Sequence, residues 1–273
     1  METAIIILFC IVDDYLKVLN FKDDVQATMS SAEVMTVTIA AAMFFGGNHQ
    51  RSQDFFKDHN YVRHMLSKSQ FNRRMHDIPL HVWEDLQRIL SEVFKQENET
   101  KEYVIDSFPV AVCHNIRISR CKIYKGEEYR GFSASKRQYF YGIRVHMIAT
   151  ANRKPIEIIF APGAASDAKI YKFFDLDLPE GSTVYGDGLY TDYEFEEQVK
   201  HDADINLLNS RKSNSKRPHL SSLGFLIQHG RKKIETTFSC ITNLFPKTIH
   251  AVTSKGFELK ILCFILGYSF SCL

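Results

Sequence analysis

The stretch YVIDSFPVAV at residues 103–112 begins the part of the sequence that decides the fold. Most of its residues are β-branched or aromatic, a composition typical of a β-strand. Two further strand patterns follow it, an alternating one at residues 139–150 and a shorter one at residues 155–161. Three strands in series predict a meander.

Helix and strand patterns alternate after this meander. The sequence predicts helices at residues 166–174, 191–201 and 225–244, and strands at residues 182–185 and 205–208. An apolar segment at residues 257–270 predicts one more helix. Strands in series followed by alternating strands and helices predict a mixed sheet of five strands with helices on both faces, in a chain that is α/β, or α+β overall.

The chain is long enough for two domains. Its 273 residues exceed the roughly 150 of an average domain. The composition, with 45% hydrophobic and 24% charged residues, excludes a disordered, collagen-like or coiled-coil protein. Before residue 98 the patterns are helical, and the longest predicts a helix at residues 79–97. A polar run at residues 95–101 is the best linker candidate. We therefore predict an all-α domain at residues 1–98 and a second domain at residues 99–273, which includes the C-terminal helix.

The formal net charge of +2 hides a strong asymmetry along the chain. Residues 115–153 carry nine Lys or Arg against two acids, a net +7, and residues 211–233 carry seven bases and no acid, again +7. The rest of the chain therefore carries −12. Two concentrated basic segments in an otherwise acidic chain fit a nucleic-acid backbone. Solvated surface loops are the alternative for either segment alone.

Three carboxylates occupy special places among the predicted elements. Asp106 lies inside the first strand, where an unpaired charge is costly. Asp187 follows a strand between two glycines, and Glu235 lies on the long helix after the second basic segment. Carboxylates on these elements can converge on one point, and hard divalent cations prefer such oxygen ligands.

Each of these residues also has an ordinary structural explanation. Asp187 in a Gly-Asp-Gly context is typical of a turn. Glu235 can pair with Arg231 four residues earlier on the same helix face. Asp106 is the hardest to explain structurally, because unpaired carboxylates are rarely buried.

Several motifs resemble those of one family of proteins. In the second domain they are YVIDSFPV at 103–110, YFYG at 139–142, APG at 161–163, VYGD at 184–187, RKSNSKRP at 211–218, IETTFS at 234–239, FPK at 245–247, IHAVT at 249–253 and GFELK at 256–260. FFGGN at 44–48 and residues 66–74 extend the match into the first domain. The chain resembles bacterial insertion-sequence transposases of the Asp-Asp-Glu (DDE) type, with an RNase H-like catalytic domain, and closely resembles the insertion-sequence family numbered nine-eight-two.

This resemblance implies a catalytic site and a reaction. Asp106, Asp187 and Glu235 take the places of the catalytic, metal-binding triad. The triad is expected to hold two Mg²⁺ ions, for which Mn²⁺ can substitute. Of the signature Tyr-x2-Arg-x3-Glu-x6-Lys of related transposases, Arg231 and Glu235 match, while Gln228 and Thr242 depart. The expected activity is DNA cleavage at the element ends and strand transfer into target DNA.

The resemblance also implies partners and a location. The expected partners are terminal inverted repeats and target DNA, bound by a homodimer or a higher multimer in the bacterial cytoplasm, at the nucleoid and away from any membrane. Residues 68–76 could form a DNA recognition helix, although a solvated helix face fits nearly as well. The candidate DNA contacts are Arg231, Lys136, Arg137, Arg211, Lys212, Lys216, Arg217, Arg73 and Arg74.

Two other functions stay open on the sequence alone. One is a catalytically inactive transposase remnant that acts as a DNA-binding protein. The other is an RNase H-like nuclease that cuts DNA without joining strands. Three clustered acids favour an active enzyme over a protein that only binds DNA.

Overall fold

The computed structural model of the protein describes residues 1–134 and 136–273, and these residues form two units. The first unit contains Met1–Ile89 and Ile241–Leu273, and the second contains Leu90–Cys240. Within the described residues, no helix combines the length and the apolar character that a membrane span requires.

The first unit is helical. Its helices are α1 (Glu2–Val18), α2 (Ser31–Phe44), α3 (His49–Asp58), α4 (Lys68–Asp77), the first part of α5 (Leu80–Gln96) and, from the C-terminal segment, α9 (Ser254–Phe270). Local capping determines several of the helix starts. Ser30 and Ser67 form reciprocal capping boxes with Glu33 and Gln70, and the side chain of Asn48 accepts a hydrogen bond from the backbone of Arg51. The Asn48 cap thus begins α3 at His49.

The C-terminal helix α9 belongs to the first unit, whereas the sequence analysis grouped it with the second domain. The Ser269 hydroxyl donates a hydrogen bond to Gln87 Oε1 at 2.9 Å, and the Phe264 ring packs against Phe245 with centroids 4.9 Å apart. Most residues of α9 are buried, and the buried residues lie on every face of the helix. Such a helix has no polar face, so its sequence does not indicate which side packs against a neighbour. The sequence analysis assigned it to the second domain because that domain precedes it in the chain, and this assignment was wrong.

Within the described residues, the second unit is built on one mixed sheet of six strands rather than the predicted five. They are β1 (Glu102–Cys113), β2 (Arg130–Ser133), β3 (Gln138–Thr150), β4 (Pro155–Pro162), β5 (Thr183–Gly186) and β6 (Asn206–Asn209). The order is β2-β3-β1-β5-β6, and β4 also pairs with β3. The strands β1 to β4 pair antiparallel, while β5 pairs parallel with both β1 and β6. The RNase H-like mixed sheet implied by the resemblance is thus present with one additional strand.

The strand that the sequence analysis missed is β2. It pairs with the first residues of β3, Gln138–Tyr141, while β4 pairs with residues 143–149 of the same strand. The strands β2 and β4 therefore share one edge of β3. Four residues are too few to give a clear alternating pattern.

In the described part of the second unit, three α-helices follow β4. They are α6 (Asp167–Tyr171), α7 (Tyr193–Ala203) and α8 (Ser221–Asn243). The predicted helix at residues 166–174 is therefore shorter than expected. The core lies on the central strands, where Val104, Ile105, Val145 and Met147 are almost completely buried. This core holds β1 and β3 rigidly and so fixes the residues that project from them.

Candidate active site

Asp106 projects from the middle of β1, where it pairs with Met147 of β3 in the sheet register. One of its carboxylate oxygens accepts a hydrogen bond from the backbone N–H of Ser107 at 2.7 Å. Burial raises the pKa of Asp106 to about 6, and the neighbouring carboxylates of Asp187 and Asp167 act in the same direction. The Ser107 hydrogen bond and the Arg231 guanidinium oppose this shift in pKa.

Asp187 lies at the same level of the sheet on the neighbouring strand. In the parallel pairing of β1 with β5, Val104 lies opposite Tyr185, and each aspartate follows two residues later. The Asp187 side chain caps a short 3₁₀ turn by accepting a hydrogen bond from Gly188 N–H. A Cβ atom on Gly186 would lie only 2.1 Å from Asn209 Oδ1, so a larger residue here would displace the buried Asn209 side chain. The register therefore brings Asp106 and Asp187 close together.

The helix α8 brings Arg231, and not Glu235, into contact with this pair. Arg231 Nη2 lies 3.3 Å from Asp187 Oδ2, and the two side chains are 23% and 36% exposed. Glu235 is exposed on α8 one turn further along. In the described part of the chain Arg231 makes no ion pair with Glu235, so the intrahelical pair considered above is absent.

A third carboxylate near Asp106 is one that sequence reasoning missed. Asp167 begins α6, and its Oδ1 accepts a hydrogen bond from the Ser107 hydroxyl at 3.3 Å. Arg144 donates to the same hydroxyl at 3.3 Å. Burial raises the pKa of Asp167, while the Arg144 guanidinium lowers it. The pair Ser166-Asp167 is typical of a helix start, and this obscured the proximity of Asp167 to the site.

His146 is a packed residue of β3. It is completely buried, and its Nδ1 is hydrogen-bonded to the Tyr190 hydroxyl at 3.0 Å. Burial lowers the pKa of His146 to about 3, with a smaller contribution from Arg144. His146 is therefore neutral near pH 7, and its 3.7 Å approach to Asp167 is not an ion pair. A neutral imidazole beneath the site supports the position of Tyr190 and supplies no charge.

The donor set fits a cation in part. Asp106, Asp167 and Asp187 are close enough to influence one another electrostatically, and carboxylate oxygens are what hard divalent cations prefer. Among residues 1–134 and 136–273, however, no three His, Cys, Asp or Glu side chains are already arranged around one metal position. The structure thus provides an acidic pair with a third carboxylate beside it, and Glu235 lies outside that cluster.

Apart from Arg231, which pairs with Asp187, the candidate DNA contacts divide into three groups. Lys136, Arg137, Lys212, Lys216 and Arg73 are exposed and available to a ligand. Arg217 is exposed but pairs with Glu197. Arg74 and Arg211 differ from the other candidates, because each is largely buried in an ion pair with a carboxylate from a distant part of the chain, and their role as DNA contacts stays a prediction. Arg74 lies 2.7 Å from Asp23, and Arg211 forms two hydrogen bonds with Glu196.

The metal-free protein should become more stable when Asp106 is replaced with Asn. Because the pKa of this carboxyl is raised on folding, the folded state binds more protons than the unfolded state between about pH 4 and pH 6, and stability falls as pH rises through that range. Asp106→Asn removes this penalty and should raise the free energy of unfolding by about 2 kcal/mol at pH 7.5. Urea denaturation in the presence of EDTA measures the difference in the free energy of unfolding between this variant and the parent. The gain should disappear near pH 4, and a variant less stable than the parent at pH 7.5 would contradict the assigned environment.

Two aspartates at one level of adjacent parallel strands, on a mixed sheet flanked by helices, define the class: an α/β domain with an acidic site. The family model described as "Transposase DDE domain" matches residues 96–251, which is more than half of the chain. The chain therefore belongs to the family of transposases with a DDE domain.

Comparisons with individual proteins add little to this assignment. The chain is similar to the cryo-EM structure of the piggyBac transposase synaptic complex with hairpin DNA, at 10% identity and a TM-score of 0.48, covering 96% of this chain and 71% of that chain. A search of curated protein sequences finds no match.

Proposed function

We propose that the protein is the transposase of a bacterial insertion sequence, of the family numbered nine-eight-two, which cuts DNA at the element ends and joins those ends to target DNA. The observation that supports this best is the position of Asp106 and Asp187 at one level of two adjacent parallel strands, within a DDE transposase domain. The protein would act in the bacterial cytoplasm at the nucleoid, as a homodimer or higher multimer on DNA.

The chemistry is two successive transfers at phosphorus. In the first, a water oxygen bonds to the phosphorus at an element end and the 3′ oxygen leaves, which produces a free 3′-hydroxyl. In the second, that hydroxyl oxygen attacks a phosphate of target DNA, and a new 3′ oxygen leaves. Neither transfer requires a covalent protein intermediate, so the scattered Ser and Cys side chains are not needed as nucleophiles.

DDE transposase domains generally use divalent metal ions. We assign Asp106, Asp187 and Glu235 as the ligands of two Mg²⁺ ions, with Mn²⁺ as a substitute. When bound, these ions would activate the attacking oxygen and stabilise the leaving one. Glu235 follows Arg231 by four residues on the same face of α8, about 6 Å along the helix axis. Because Arg231 already contacts Asp187, this spacing is short enough for Glu235 to serve the same site.

The remaining side chains position the reacting groups. Arg231 offsets the charge of Asp187 and, from the edge of the site, can contact a DNA phosphate. Arg144 and Asp167 both bind the Ser107 hydroxyl and so hold the segment of β1 that carries Asp106. Because its pKa is raised to about 6, Asp106 holds a proton in part of the population near pH 6.

An assay with a labelled duplex that carries the DNA flanking this gene tests the proposal. The parent protein should yield cleaved and joined products with Mg²⁺ and none in EDTA. Cleavage without joining would instead identify a nuclease of the same fold. Binding without cleavage would identify a DNA-binding remnant.

A further inference from the structure

The two basic segments of the sequence meet in the folded second unit. Arg153 is the last base of the first segment, and Lys232 with Lys233 ends the second. These residues line one cavity of about 460 Å³. Its polar lining comes from two elements, the turn between β3 and β4 (Asn152 and Arg153) and one face of α8 (His229, Lys232, Lys233 and Thr236). We call this cavity the basic cleft.

The basic cleft and the acidic site use different faces of α8. His229, Lys232, Lys233 and Thr236 recur at three- and four-residue spacing, so they form one stripe along the helix. Arg231, which contacts Asp187, precedes Lys232 by one residue and is therefore rotated by about 100° around the helix axis. One face of α8 therefore directs Arg231 toward Asp187, and another face of the same helix lines the basic cleft.

The two lysines of the basic cleft have no acid beside them among the described residues that line it. In the described part of the chain neither Lys232 nor Lys233 forms an ion pair, whereas Lys95, Lys154, Lys172 and Lys200 of the same unit each pair with a carboxylate. Unbalanced ammonium groups beside the polar side chains of Asn152 and Thr236 fit an anionic oxygen ligand.

The distance from the acidic site indicates where such an anion would lie. The turn adjoins the start of β1, because Ala151 N–H donates to the Glu102 carbonyl at 2.9 Å. Glu102 precedes Asp106 by four residues, which corresponds to about 13 Å along an extended strand. One DNA strand advances about 3.4 Å per nucleotide along the helix axis, so this distance corresponds to about four nucleotides.

We propose that the basic cleft binds the phosphate backbone of the DNA held at the acidic site, about four nucleotides from the reacting phosphate. The proposal rests on the DNA substrate of the proposed function. It adds a backbone contact that the candidate residues identified from the sequence do not include.

Salt-dependent binding of the full-length protein to a fluorescent duplex with the element end tests the basic cleft. The slope of log affinity against log salt falls by about 0.9 for each phosphate contact that is lost. Lys232→Ala/Lys233→Ala should therefore reduce the slope by about two and weaken binding at low salt by about tenfold or more. Arg153→Gly should reduce the slope by about one. Arg153 has φ +71°, which glycine adopts without strain, so this change removes the charge and keeps the turn.

Matched variants separate the role of the cleft from a general charge effect. Lys172→Ala/Lys200→Ala removes the same formal charge from exposed lysines of the same unit and should leave the slope unchanged. Lys232→Arg/Lys233→Arg should keep the parent slope. Thermal unfolding of each variant confirms that the fold is intact. An equal loss of slope in the two alanine pairs would overturn the proposal.

Uncharged methylphosphonate linkages in the duplex test where along the DNA the basic cleft makes its contact. Placed one at a time along the duplex, they should weaken binding by the parent protein most at about four nucleotides from the cut. The same substitution should have little further effect on Lys232→Ala/Lys233→Ala. If the parent protein binds no duplex, the proposed function fails and this inference fails with it. If the parent binds and the variant keeps the same slope and the same methylphosphonate response, only the basic cleft is refuted.

Discussion

Replacement of Asp106 with Asn should reduce Mg²⁺-dependent DNA cleavage by at least about 10²–10³-fold and leave DNA affinity within about threefold. The two side chains have nearly the same shape, so β1 and its pairing with β3 are preserved. The change removes the negative charge that Asp106 contributes beside Asp187. Cleavage and binding are measured on the same labelled duplex, the first by gel and the second by fluorescence anisotropy.

The control for this experiment is Asp202→Asn. Asp202 is an exposed acid of the same unit that pairs with the adjacent His201, and its replacement should leave the cleavage rate unchanged. Because Asp106→Asn is also expected to be more stable than the parent in the absence of metal, its inactivity would not reflect unfolding. Full cleavage by Asp106→Asn would remove Asp106 from the catalytic site.

Replacement of Arg211 with Ala should lower the free energy of unfolding by about 3 kcal/mol. Arg211 and Glu196 are 9% and 11% exposed and bind each other through both guanidinium Nη groups. Asn209 Nδ2 also donates to Glu196 at 3.0 Å. Removal of the guanidinium would leave a buried carboxylate without its counter-charge. Urea denaturation at pH 7.5 gives the difference in free energy.

Arg217→Ala provides the matched control. Arg217 pairs with Glu197, but these side chains are 57% and 65% exposed, and an exposed pair contributes at most about 1 kcal/mol. Both variants remove one arginine of the same basic segment. A change below about 1 kcal/mol in Arg211→Ala would show that its ion pair is not structural, and Arg211 would again be a candidate DNA contact.

The longer elements could be predicted from the sequence because their patterns repeat several times. The predicted helix at residues 79–97 and strand at residues 139–150 agree with α5 and β3 to within two residues at either end. The four-residue strand β2 and the early end of α6 were not predictable in this way, because each depends on pairing and packing with distant segments. The C-terminal helix was found, but its place in the first unit depends on contacts that its apolar pattern does not specify.

The residues of the candidate site also differ in whether the sequence alone identifies them. Asp106 and Asp187 could be identified because a carboxylate inside a strand and one between glycines after a strand are unusual in themselves. Asp167 could not, since its sequence context is an ordinary helix start. The burial of Arg211 and Arg74 was also not predictable, because their partners lie 15 and 51 residues away along the chain. A sequence shows which residues are charged, whereas tertiary structure decides which charges are already paired.

The most direct test of the central claim is a comparison of the parent protein with Glu235→Ala on a duplex that carries the element end, with Mg²⁺ present. Glu235 is the member of the proposed triad that the structure leaves exposed on α8. The variant should bind the duplex with the affinity of the parent and yield neither cleaved nor joined products. Cleavage by Glu235→Ala at the rate of the parent would contradict the assignment of Asp106, Asp187 and Glu235 to one catalytic site.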